Sequence, residues 1–86
     1  MIKITILRID GIAEEKTIEG GDKLIPNLQS ELGGYLEPLR YVDGVPKGKI
    51  LLVDEDGLMK ELPLNPWIQG GGIVGPIIMM NDADLN

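Results

Sequence analysis

The order of hydrophobic and polar positions along the chain predicts a strand hairpin at the N-terminus. Isoleucines alternate with Lys and Thr over residues 2–6, as in a strand with one buried face. An Asp-Gly pair at 10–11 is a hairpin turn signal, and residues 15–19 predict a charged return strand. Because charges discourage pairing with other molecules, we place this second strand at a sheet edge.

Helical spacing of apolar residues follows the glycine pair at 20–21. Asp22 predicts an N-cap, and the glycine pair at 33–34 ends the helix. The apolar stripe has four members, Leu24, Ile25, Leu28 and Leu32. We expect Leu24, Leu28 and Leu32 to be buried against a sheet.

Four further segments are predicted strands. Residues 35–42 form one at a sheet edge or on a bulge because of Pro38, and residues 49–53 form a central one because they are almost continuously apolar. Residues 58–62 predict a short fifth strand and residues 73–80 the last one.

These elements predict an α+β fold, a small and mostly antiparallel sheet of about five or six strands with one helix packed on one face. The chain is expected to be a single domain over residues 1–86, with a frayed acidic tail at 81–86. The last strand carries apolar residues on both faces, and one helix covers one face. The uncovered face predicts self-association, hence a homo-oligomer.

Composition then limits the chemistry. The 86 residues include no His and no Cys, and Ser30 is the only serine. Catalytic triads, Cys-His dyads and structural zinc sites are thereby excluded, so we expect no enzyme, no catalytic residue, no metal and no cofactor. The acidic run at 54–57 lacks the other ligands of a calcium loop.

Charge and hydropathy bear on partners and location. The net charge of −6 disfavours direct nucleic-acid binding, because phosphate recognition requires clustered Lys and Arg. The N-terminus is charged too early for a signal peptide, and no apolar span is long enough to cross a membrane. We therefore expect a cytoplasmic protein without membrane contact.

A glycine-rich stretch precedes the last strand. Gly70, Gly72 and Gly75 match the dinucleotide-binding spacing, but a strand follows them where that motif requires a helix, so we reject a Rossmann site. Two interpretations stay open. The glycines form a mobile loop that leads into the strand, or they let backbone amides approach a bound anion or base.

The corner before these glycines supplies the candidate ligand site. Asn65 and Pro66 stiffen the chain, whereas residues 70–72 loosen it, which suits a segment that closes over a ligand. In this hypothesis an Arg supplies charge, a Trp stacks and a glycine offers an amide. The predicted site comprises Arg40, Tyr41, Asn65, Trp67, Gln69 and Gly71. The alternative is that Asn65 only caps a turn and Trp67 belongs to the core.

Four segments together resemble a known family. They are GGYLEPL at 33–39, DEDG at 54–57, LPLNP at 62–66 and the terminal strand at 73–80. In this order they are similar to domain-of-unknown-function family 3846, whose members occur in bacteriophages and mobile elements. The resemblance implies an α+β fold and a phage-like origin, and it assigns no catalytic residue. Longer members of that family carry additional residues between the positions of Pro66 and Ile73, where this chain has a short segment.

Size, composition and resemblance lead to an expected function. We expect a non-enzymatic, phage-type accessory protein that occupies a host protein through an acidic surface, in a host-takeover or anti-defence role in the bacterial cytoplasm. The alternative is a sponge that binds a small nucleotide-like immune signal at a subunit interface near Trp67 and residues 70–72.

Overall fold

Five antiparallel strands form one sheet in the computed structural model, which describes residues 1–40, 42–68 and 72–85. In chain order the strands are β1 (Ile2–Leu7), β2 (Ala13–Ile18), β3 (Leu36–Leu39), β4 (Lys49–Asp54) and β5 (Ile77–Asn81). Their spatial order is β2-β1-β5-β4-β3, and every neighbouring pair is antiparallel. The predicted α+β class is confirmed, with the strand number at the lower end of the expectation.

The positions of the strands within the sheet agree with the sequence prediction. The charged β2 and the proline-containing β3 are the two edge strands, and the apolar β4 lies between β5 and β3. Pro38 lies opposite Leu52, and its missing N–H weakens the exposed edge as a template for pairing.

One helix, α1 (Leu24–Leu32), covers the first face of the sheet. Leu24, Leu28 and Leu32 are all buried there, as predicted. Ile25 is 44% exposed, so its assignment to the buried stripe was wrong. The buried residues of this core are Ile4, Ile6, Ile18, Leu24, Leu28, Leu32, Ile50, Leu52, Ile78 and Met80.

The ends of α1 match the prediction at one end and differ at the other. Gly33 adopts the left-handed conformation at φ 82° and its N–H donates to the Gln29 carbonyl, as a C-terminal glycine does. A short 3-10 turn at Gly21–Lys23 precedes the helix, and no side chain caps it. The predicted N-cap at Asp22 is therefore wrong.

The second face of the sheet is covered by the chain's own connecting segments. Leu7, Leu51, Val53 and Ile77 form a second buried cluster on this face. Half-buried apolar side chains from the β3–β4 and β4–β5 connections pack on it, namely Val42, Val45, Ile68 and Ile73. Because this face is already covered, it gives no reason for a second subunit. Self-association therefore stays a prediction, but the uncovered sheet face from which it was argued is not present in the described residues.

Four predicted segments differ from the structure. Residues 58–62 form turns rather than a strand, and the strand predicted at 35–42 is limited to β3. Residues 73–80 contain an isolated bridge between Leu64 and Val74 before β5 begins. The tail continues β5 into α2 (Asp82–Leu85), and Leu85 packs against the first core, so residues 81–85 are not frayed.

Candidate functional site

Asn65 lies buried where the β4–β5 connection crosses the second face. Its side-chain amide donates to the carbonyls of Leu7 at 2.9 Å and Gly75 at 2.8 Å. Its side-chain oxygen accepts the backbone N–H of Trp67 at 2.8 Å, and its own N–H donates to the Ile73 carbonyl at 2.9 Å. Asn65 therefore fixes its local turn, as expected, and also ties the connection to the ends of β1 and β5.

Trp67 follows this turn without entering the core. Its side chain is 44% exposed, while the neighbouring Ile68 packs on the second cluster. The interpretation that Trp67 fills the core is therefore wrong. Its proposed role at a ligand rim stays a prediction.

Of the six predicted site residues, three lie outside the described part of the chain, namely Tyr41, Gln69 and Gly71. The other three do not share a cavity. Arg40 lines a cleft at the β3–β4 end of the sheet, and neither Asn65 nor Trp67 is part of its lining. Arg40 and Trp67 are therefore not opposed across this cleft.

The cleft beside Arg40 has a volume of about 260 Å³ and a basic lining. Lys47 and Lys49 line it together with Arg40, whose Nη1 contacts a carboxylate oxygen of Asp82 at 2.6 Å. Neither lysine has an ion-pair partner among the described residues. An acidic chain thus carries a local concentration of positive charge here.

Two tight turns and α2 shape this basic cleft. The Val45 N–H donates to the Val42 carbonyl at 3.2 Å, and the Lys49 N–H donates to the Pro46 carbonyl at 3.2 Å. The N–H of Asp82 donates to the Gly48 carbonyl at 2.8 Å, which joins the second turn to the start of α2. These bonds fix the backbone that carries both lysines.

The acidic turn after β4 is built around an ion pair between the buried Asp54 and the partly exposed Lys60. Nζ of Lys60 lies 2.7 Å from a carboxylate oxygen of Asp54 and donates to the Gly33 carbonyl at 3.2 Å. The pair leaves no room at Gly34, where a Cβ would lie 2.7 Å from both Asp54 oxygens and from the Lys60 Nζ. The end of α1 and the turn after β4 are therefore joined through Lys60.

The Asp54 carboxyl has a perturbed acidity. The hydrogen bond from Lys60 holds its pKa below the ordinary value of 3.8, burial opposes this, and the N–H of Asp56 adds to the lowering. A carboxyl whose pKa is lower in the folded chain stabilises the fold above the unfolded pKa. That contribution is lost as the pH falls through the folded pKa.

We therefore expect wild-type protein to be more stable than an Asp54→Asn variant at neutral pH. The difference should shrink as the pH falls below about 4, because the wild-type carboxyl then becomes neutral. Urea unfolding of both proteins, from neutral pH to below pH about 4, measures this difference in unfolding free energy. Glu19→Gln, which removes an exposed carboxylate without an ion pair in the described chain, is the control. A difference independent of pH would contradict the assignment.

The outer side of the same turn exposes large apolar side chains. Leu58 is 76% exposed and Met59 85% exposed. Leu64 is 68% exposed and bridges to Val74, which lines a shallow cleft together with Leu58. We call Leu58, Met59 and Leu64 the turn patch.

Carboxylates lie beside the turn patch. Glu37 and Glu55 line the shallow cleft beside Leu58, and Glu61 follows two residues after Met59. None of the three has an ion-pair partner in the described chain, and Lys60 is directed inward to Asp54. The surface beside Leu58 therefore combines exposed apolar side chains with unpaired carboxylates, while the Lys60 amine is held by Asp54.

Sequence reasoning interpreted Lys47 as a solvated side chain, and it missed Lys49 and the turn patch as parts of a binding surface. The sequence Pro46-Lys47-Gly48-Lys49 is a turn signal that places two lysines beside Arg40 once β3 and β4 are paired. The signal for the patch is Leu58-Met59, two large apolar residues directly after an acidic glycine turn. From the sequence, Lys49 was assigned to a predicted strand and Leu58-Met59 to another, and neither was assigned to a binding surface.

Comparison with known proteins leaves the chain without an assigned family. No protein-family model, curated protein or solved structure matches it. In the described residues no group of acidic side chains is arranged to hold a metal ion, and no helix is both long and apolar enough to cross a membrane.

Proposed function

We propose that this protein is a non-enzymatic binding protein that occupies a host protein with its acidic surface, in a phage-type host-takeover or anti-defence role. The observation that carries the proposal is the turn patch with the carboxylates beside it. Single exposed apolar residues are ordinary on protein surfaces, whereas contiguous ones within a polar rim are typical of interaction sites.

Burial elsewhere in the chain supports this assignment. The two cores already enclose the leucines and isoleucines that the sheet requires. Leu58 and Met59 are left outside both cores, so their apolar character contributes little to the fold. Because water surrounds these two side chains in the isolated chain, their burial by a partner would contribute strongly to the free energy of binding.

Charge defines the partner. Glu37, Glu55 and Glu61 would face its rim, so the partner carries Lys or Arg around an apolar depression. Complementary charge accelerates encounter and excludes acidic proteins, while the buried apolar contacts supply most of the affinity. A host protein with a basic, nucleic-acid-binding or phosphate-binding face has this chemistry.

Site-specific photocrosslinking in its native cells tests the proposal. A photoreactive amino acid replaces Met59 in one variant and Thr17 in the control, where Thr17 is an exposed residue of the edge strand β2. We expect one dominant protein adduct from position 59 and none of that mass from position 17. Reversing two rim charges, Glu55→Lys with Glu61→Lys, should remove the adduct.

Two outcomes would contradict the proposed function. One is the same set of adducts from both positions, which would indicate random collision. The other is an adduct formed only with a second copy of this chain, which would make the turn patch a surface for self-association. Either result is distinguishable by the mass of the crosslinked product, because one chain has a mass of 9.4 kDa.

A further inference from the structure

We infer that the basic cleft lined by Arg40, Lys47 and Lys49 binds a small molecule that carries a phosphate group. This site is separate from the turn patch and does not rest on the proposed function. It shares Arg40 with the ligand site expected near Trp67, but its lining includes neither Asn65 nor Trp67.

The first argument is the distribution of charge. The chain carries eight basic residues against fourteen acidic ones, and most of the basic ones contact carboxylates. The lysines without an ion-pair partner in the described chain are Lys23, Lys47 and Lys49. Two of these three line one cleft. The Asp82 carboxylate, which pairs with Arg40, lines the same cleft, so the two lysines supply the unpaired positive charge that attracts an anion.

The second argument is the position of Arg40. Asp82 holds the guanidinium by one nitrogen, Nη1, at 2.6 Å. A guanidinium has five N–H donors, and no further acceptor for it lies among the described residues. Asp82 therefore orients a side chain that keeps donors for a phosphate, which planar Arg binds well.

The third argument limits the size and character of the ligand. The volume of about 260 Å³ lies just below the roughly 300–1,000 Å³ of most small-molecule sites, which restricts the ligand to mononucleotide size or smaller. Leu39, Val42 and Val45 contribute apolar side chains to the lining. The phosphate would therefore face the lysines while an apolar or aromatic group contacts this side.

Titration of ¹⁵N-labelled protein with AMP, adenosine and inorganic phosphate tests the site. We expect AMP to shift the backbone amide signals of residues 45, 47–49 and 82 saturably, with a dissociation constant of about 1 mM or tighter. Phosphate should shift the same signals more weakly, and adenosine should not bind measurably at the same concentration.

Matched lysine variants make the test specific. Lys47→Gln with Lys49→Gln should weaken AMP binding about tenfold or more, since charge-assisted hydrogen bonds are among the stronger ones. Lys23→Gln removes an exposed lysine without an ion pair and should leave binding unchanged. All these positions are exposed, and an unchanged amide spectrum of each free variant confirms its fold.

Three results would overturn the inference. The first is that neither AMP nor phosphate shifts these signals at about 10 mM, ten times the expected constant. The second is that Lys23→Gln weakens binding as much as the double variant does, which would indicate a general charge effect. The third is that single-stranded DNA binds through the same lysines far more tightly than AMP, which would make the cleft a nucleic-acid contact.

Discussion

Replacing Asn65 with alanine should lower the free energy of unfolding by about 2–6 kcal/mol. The change leaves two carbonyls, those of Leu7 and Gly75, without the amide that bonds them. Each buried polar group left unsatisfied costs about 1–3 kcal/mol. The loss of the bond to the Trp67 N–H also loosens the turn. Urea unfolding monitored by circular dichroism gives the value.

A second asparagine on the chain provides the control. The Asn27 side chain donates a single weak bond, at 3.4 Å, to the Glu19 carbonyl near the surface. Asn27→Ala should change stability by no more than about 0.5 kcal/mol, because alanine also favours the helix that carries it. Equal losses from Asn65→Ala and Asn27→Ala would show that the connection is not held by Asn65.

Leu28→Ala should cost about 2–5 kcal/mol. Leu28 has no exposed surface and lies at the centre of the contact between α1 and the sheet. Truncation removes the transfer free energy of the buried methyl and methylene groups, and it leaves a cavity that the surrounding strands fill only in part. The measurement is equilibrium unfolding in urea.

Ile25 on the same helix is the matched control. It is exposed on the outer side of α1, so Ile25→Ala should cost less than about 1 kcal/mol and takes advantage of the helix propensity of alanine. Similar losses at Leu28 and Ile25 would contradict the packing of one helix face on the sheet. An unaffected Leu28→Ala variant would contradict it more strongly.

The parts of the fold that follow local periodicity were predictable from the sequence. Leu24, Leu28 and Leu32 recur at helical spacing and therefore share one face of α1. This apolar face packs on the sheet. The alternating pattern of β1 predicted a strand in the sheet, and the continuous apolar character of β4 predicted a central position. Each pattern reflects how many faces of the strand are buried.

The turn after β4 was not predictable in this way. Residues 58–62 read as a strand, but Lys60 turns inward to Asp54 and Glu61 adopts a positive φ of 57°. The ion pair depends on the close approach of Gly34, which is distant in sequence. Such long-range contacts override the weak preference of a five-residue pattern.

The candidate sites were predictable only in part. Arg40 was named from the sequence, but its partners Lys47 and Lys49 reach it only through the turns of the β3–β4 connection. Asn65 was correctly placed in a turn, whereas its bonds to Leu7 and Gly75 require the order of the sheet. Trp67 was misjudged because residue type alone does not decide burial.

The double variant Leu58→Ser with Met59→Ser tests the central claim most directly, that the turn patch is a binding surface rather than part of the fold. Its unfolding free energy and its capture of the partner crosslinked from position 59 are measured together. We predict stability within about 0.5 kcal/mol of wild type and loss of capture, because both side chains are exposed. Capture equal to that of wild type by a fully folded variant would contradict the account.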